Sequence, residues 1–220
     1  LLSTAELSIL QARKEICLFA ERTHRMFNMI RDLLTTTNDN DFNKLFSRVE
    51  KYENISDNME LEIANYLNMV SEGRLSSESK LQIRAMLREV TEIESIGDSC
   101  YNLARTINRK HRGNQDFTEK QYEHIRTMLD LTDQALHQMV IIVEKQERHT
   151  QDVNKSFNIE NEINNYRNQL KNQNIIDVNN KEYDYQMGVH YMDIIGECEK
   201  LGDYVVNVVE ASSDVKEKKA

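Results

Sequence analysis

Glu94 and Asp98 stand four residues apart in a stretch with helical periodicity, and so do Glu199 and Asp203. Residues at that spacing are neighbours on one helix face, so each pair stacks two carboxylates. Asn102 and Asn207 continue each stripe by one further turn. Like charges at this spacing repel by roughly 0.2–0.5 kcal/mol per pair. An arrangement that repeats them therefore calls for a compensating cation or a basic partner. The apolar seam beside the first pair is Ile93, Ile96, Cys100, Leu103 and Ile107. At ~100° per residue the carboxylates fall on the opposite side of that helix, so the stripe is expected to face outward. Gly97 and Gly202 lie inside the two segments, where glycine costs up to ~1 kcal/mol relative to alanine. Their matched placement predicts close approach by a neighbouring backbone or a ligand.

Other chemistry lacks its residues. A ferritin-like di-iron centre needs two inward E-x-x-H motifs, and the chain has one, Glu21-Arg22-Thr23-His24. His24 reads better as a histidine at the edge of a helix seam. The remaining histidines are scattered, with no two at ligand spacing. No G-x-S-x-G, P-loop or G-x-G-x-x-G occurs, so hydrolase, NTPase and dinucleotide chemistry have no foothold. With no nucleophile–base constellation in view, the chain is expected to be non-catalytic. Cys17, Cys100 and Cys198 are odd in number and widely spaced, which suits buried small hydrophobes rather than a disulfide framework.

The elements that carry the carboxylates follow from composition. The 220 residues include no proline and only six glycines. Sandwiches and barrels need many turn residues, so long helices with few connections remain and an all-β fold is excluded. The balance of 28 basic against 37 acidic residues gives −9 at pH 7, which argues against nucleic acid as a partner. Ser3 to Glu6 forms a capping box that opens a first helix to about Leu34. A second helix carries Leu45, Val49, Tyr52, Met59, Ile63 and Tyr66 and ends near Gly73. Ser76 caps a third that reaches about Lys110. Thr118 starts a fourth, and a fifth runs from near Thr150 to about Asn174. A sixth spans about Asn180 to Glu210, leaving residues 212–220 as a charged tail expected to be disordered.

An internal repeat orders these helices. Glu92, Glu94, Gly97, Asp98 and Asn102 recur as Glu197, Glu199, Gly202, Asp203 and Asn207 at a constant offset of 105. The second and fifth helices also echo each other, Glu53 to Asp57 against Glu160 to Asn164. The expected fold is all-α, with six long antiparallel helices in two tandem three-helix bundles. Residues 1–113 form the first repeat and residues 114–211 the second.

The paired E-x-[I/L]-G-D-x-x-x-N segments, one per three-helix repeat, resemble the PhoU family of phosphate-regulatory proteins across essentially the whole chain. The opening, Ala5-Glu6-Leu7 through Gln11-Ala12-Arg13-Lys14-Glu15, is similar to the junction after the membrane part of bacterial sodium/phosphate cotransporters that end in a PhoU-like domain. In the family, E(D)-x-x-x-D pairs from two adjacent helices bind metal on the bundle surface. The resemblance thus implies a first site of Glu53, Asp57, Glu94 and Asp98, and a second of Glu160, Glu199 and Asp203 with Asn164 in place of a carboxylate. The lost charge makes the second site the weaker. Oxygen ligands suit Mg, Mn, Fe or Ca better than Zn. The resemblance further implies regulation of phosphate transport, through a transporter domain in cis or a phosphate-transport complex. It places the domain at the cytoplasmic face, with the full-length protein in the inner membrane, and leaves a homodimer open. The alternative is a metal-free structural adaptor whose acidic stripes meet a basic partner.

Overall fold

The computed structural model describes residues 3–145 and 149–217. Six α-helices account for nearly all of them: α1 (Thr4–Thr35), α2 (Asp39–Ser71), α3 (Ser77–Arg112), α4 (Glu119–Glu144), α5 (Thr150–Asn179) and α6 (Tyr185–Glu217). The starts of all but α5 are set by side chains that accept from exposed backbone N–H groups. Ser3 and Glu6 form the capping box of α1, Asn38 accepts from Asp41 N, and Ser76 accepts from Ser79 N. Thr118 and Gln121 form a second capping box on α4. At α6 the Asp184 carboxylate accepts from Met187 N at 2.9 Å, so this helix begins five residues later than the expected start near Asn180. Residues 180–184 form a turn instead, and α5 continues past Asn174 to Asn179.

Each helix buries one apolar stripe at three- and four-residue spacing, and packing those stripes is what stabilises helices of this length. On α1 the stripe includes Ile9, Ile16, Phe19, Met26, Phe27, Ile30 and Leu33. Among the described residues α2 packs only on α1 and α3, and α5 only on α4 and α6. The two three-helix units meet through α3 against α6, the most extensive contact, and through α1 against α4. One continuous apolar core runs through all six helices. Cys100 and Cys198 lie fully buried within it. Glu94 and Glu199 occupy matching places, each on the flank of its helix that meets the outer helix of the same repeat, which is the pseudo-symmetry the offset of 105 requires.

The charged C-terminal segment departs from expectation. α6 does not stop at Glu210 but continues to Glu217, and Ser212 and Ser213 are buried. Ser212 Oγ donates to Glu89 Oε1 and Ser213 Oγ to the Val209 carbonyl, both at 2.6 Å. The Ser212 bond ties the extra turns to α3 and the Ser213 bond lies within α6, so the tail does not begin at residue 212. Residues 218–220 lie outside the described residues.

Candidate metal centre

The outer helix α2 lies along the flank of α3 and brings Glu53 and Asp57 to Glu94 and Asp98. One oxygen from each of the four carboxylates falls within 4.8 Å of the others. Among the described residues no other group of three or more acidic, histidine or cysteine side chains converges in this way. The first expected site is thus assembled by two helices, each supplying an i,i+4 pair.

The expected outward orientation holds only for Asp98. Glu53, Asp57 and Glu94 are half-buried in the α2–α3 seam, because α2 covers the side of α3 opposite its core face. Glu53 Oε2 is buried and accepts no hydrogen bond. The seam has an electrostatic consequence. Burial, the hydrogen bond with Asp98 and the charges of Asp98, Asp57 and Glu94 push the Glu53 carboxyl up to about 9. Burial and Asp98 likewise push Glu94 up to about 8. With Glu53 and Glu94 pushed well above the usual carboxylate range and one buried oxygen left without a partner, the four side chains form a hard, all-oxygen donor set suited to a divalent cation.

Gly97 sits beneath this group. A Cβ there would lie 3.7 Å from Glu53 Oε2 and 3.8 Å from Ser56 Cβ, which is ordinary van der Waals contact. At Gly202 the nearest atom is Ile163 Cδ1 at 3.4 Å. The close backbone approach expected from their matched placement is not what the structure shows: the nearest atoms are side chains of the outer helix, and a methyl group fits at each.

The second expected site is built differently. Glu160, Glu199 and Asp203 do not converge as the first four carboxylates do, and Asn164 Nδ2 donates to Glu160 Oε1 at 3.3 Å within α5. Arg167 Nε lies 2.8 Å from Glu199 Oε2. A guanidinium therefore already neutralises one of the three carboxylates. Sequence reasoning missed Arg167. The signal was present, because the offset that aligns Glu53 with Glu160 also aligns Glu60 with Arg167.

Asn102 and Asn207 do not belong to either carboxylate group. Asn102 Nδ2 donates to Glu197 Oε1 and Asn207 Nδ2 to Glu92 Oε2, across the α3–α6 contact. His24 lies half-buried between α1 and α4, with Nε2 2.7 Å from Asp133 Oδ1.

The sequence profile of one family, the PhoU domain, matches residues 16–107 and 125–212. Among solved structures, the chain is similar to the phosphate transport system regulatory protein PhoU from Streptococcus pneumoniae, with a TM-score of 0.84 and 12% identity over 98% of each chain. It is also similar to PhoU from Pseudomonas aeruginosa, with a TM-score of 0.86 and 11% identity over 96% of this chain and 98% of that one. No curated protein sequence matches it. At these identities the structural likeness establishes the fold, and the family profile, covering both repeats, establishes the kinship.

Proposed function

The chain belongs to the PhoU family, and from that premise we propose that it is a regulatory module of phosphate transport carrying a cation at Glu53, Asp57, Glu94 and Asp98. The observation that supports the metal reading is the convergence of four carboxylate oxygens within 4.8 Å around the buried, unpartnered Glu53 Oε2. Glu53, Asp57 and Glu94 would hold the ion from the half-buried side and Asp98 from the rim. A bound cation supplies positive charge there, in place of the protons that the crowded carboxyls otherwise retain. Hard divalent or trivalent ions, Mg, Mn, Fe or Ca rather than Zn, match the donors.

The partner in this reading is a phosphate-transport complex, or a transporter domain fused in cis, at the cytoplasmic face of the membrane. No helix among the described residues is long and apolar enough to cross a membrane. The chain regulates rather than catalyses: its carboxylates line a seam open to water at Asp98, away from any nucleophile–base pair.

The test is a titration of chelator-treated protein with manganese or magnesium, followed by melting temperature. An ion that binds only the folded chain stabilises it by about 2.7 kcal/mol at a hundredfold excess over Kd. Wild type is expected to respond, and Asp98→Asn to lose most of the shift while Asp203→Asn keeps it. A larger loss from Asp203→Asn reverses the ranking of the two groups. No response to any divalent ion leaves the seam as a docking surface for a basic partner, the adaptor reading.

A further inference from the structure

The two carboxylate groups occupy corresponding places in the two repeats, position by position in sequence. Glu53, Asp57, Glu94 and Asp98 correspond to Glu160, Asn164, Glu199 and Asp203. The structure supports this alignment independently of the acids. A Cβ at Gly97 would lie 3.8 Å from Ser56 Cβ on the outer helix, and one at its counterpart Gly202 3.4 Å from Cδ1 of Ile163, the residue aligned with Ser56. One turn beyond Asp57 the alignment pairs Glu60 with Arg167, a reversal of charge at one place.

These two residues hold the same place in the aligned repeats. Arg167 lies against Glu199 at 2.8 Å. Glu60 is half-buried near Asp57 and Asp98, and its charge acts on Glu94, the counterpart of Glu199. At the aligned positions the first repeat therefore has a fifth carboxylate beside the four that converge, and no basic residue. The second presents three carboxylates, a guanidinium, and an amide that donates to Glu160.

We propose that Arg167 is a built-in replacement for a bound cation, so that the side chain at this one position, Glu60 in the first repeat and Arg167 in the second, decides which repeat takes metal. The second group is then not a weak metal site but a filled one. A guanidinium held at Glu199 supplies the positive charge without a free ion, and it repels any divalent cation that approaches Glu160 and Asp203. The Arg167 N–H does not point along the line to Glu199 Oε2, so the contact acts through charge more than through a directed hydrogen bond.

The manganese arm of the test rests on the metal reading above; the metal-free arm does not. In chelator, Arg167→Glu is expected to lower the melting temperature, and the reciprocal Arg167→Glu/Glu199→Arg pair to recover most of the loss. Glu60→Arg, which gives the first group its own cation, is expected to raise it. In manganese, Glu60→Arg is expected to abolish the metal-induced shift. Asn164→Asp/Arg167→Glu is expected to bind more manganese per chain than wild type, with the excess surviving Asp98→Asn. If no protein binds manganese, the metal reading fails and the metal-free contrast still decides. A melting temperature in chelator that is unchanged by Arg167→Glu, or a loss not recovered by the reciprocal pair, overturns the proposal. So does wild-type manganese that persists in Asp98→Asn and disappears in Asp203→Asn.

Discussion

Asn102 on α3 donates its side-chain amide to Glu197 on α6 at 3.3 Å, and one repeat later Asn207 on α6 donates to Glu92 on α3 at 3.1 Å. The two bonds are reciprocal: each repeat lends an amide to the other's carboxylate across the contact that joins them. The sequence places each asparagine one turn beyond an acidic pair, as if it extended the stripe. Four residues advance a helix by about 400°, so each step turns the row by ~40°. Two steps beyond Glu94 the row has left α2 and faces α6.

These bonds are charge-assisted and half-buried, so losing a donor strands a carboxylate. Asn102→Leu is expected to cost about 1–2 kcal/mol in urea denaturation. Asn102→Asp is expected to cost more, since it sets a second negative charge against Glu197. Equal stability of wild type and both variants would show that the α3–α6 contact is carried by its apolar side chains alone.

Glu89 is fully buried, with Arg13 Nη1 2.6 Å from one oxygen and Ser212 Oγ 2.6 Å from the other. Arg13→Met leaves that charge with one neutral donor, and breaking such a pair costs about 3 kcal/mol or more. Arg13→Met/Glu89→Met is expected to recover much of the loss, because two apolar side chains need no compensation. Ser212→Ala is expected to cost about 1–2 kcal/mol by removing a hydrogen bond to a charged, buried group. Denaturant melts of the three variants beside wild type separate these terms.

The long helices and their duplication were legible because proline is absent and the offset of 105 recurs at five positions. The first carboxylate group was legible for the same reason, through two i,i+4 pairs. What escaped depended on partners that spacing does not reveal. Arg167 carries no motif, and its role comes from Glu199 on another helix. Ser212 looks like the start of a polar tail until Glu89 on α3 is brought beside it. The end of α5 was missed because the polar run from Asn174 to Asn180 hides Ile175, Ile176 and Val178, which continue the helix.

That helix ends in a left-handed residue, Lys181, with φ 60°. Glu182 N donates to the Asp177 carbonyl at 2.9 Å and Lys181 N to the Val178 carbonyl at 3.1 Å, the pairing that closes a helix when its C′ residue is left-handed. A side chain with a Cβ pays about 1 kcal/mol for this conformation, and glycine does not. Lys181→Gly is therefore expected to raise the melting temperature slightly, and Lys181→Val to lower it by more. A gain from valine would contradict the assigned turn.

The carboxyl group of the first site makes stability depend on pH in a direction opposite to that of an ordinary salt-bridged acid. Glu53 and Glu94 have folded values of about 9 and about 8, above the ordinary value of 4.5, chiefly through burial and then through Asp98. In chelator, the folded chain thus keeps protons that the unfolded chain has released, across the window from about 4.5 to about 9. Stability falls with rising pH wherever the native state binds more protons than the unfolded one. Metal-free protein is therefore expected to be most stable below pH 4.5 as far as this group is concerned. It should lose that contribution steadily toward pH 9 and change no further above it. Asp98→Asn removes a charge and a hydrogen-bond partner, so it should flatten the profile by lowering both folded values. A divalent cation competes with the same protons, so its stabilising effect should grow over the window in which the metal-free protein weakens. Melting temperatures of wild type and Asp98→Asn at pH 5, 7 and 9, with and without manganese, check each part. A metal-free wild type that loses no more stability than Asp98→Asn between pH 5 and 9 would show that the four carboxylates are not crowded in solution.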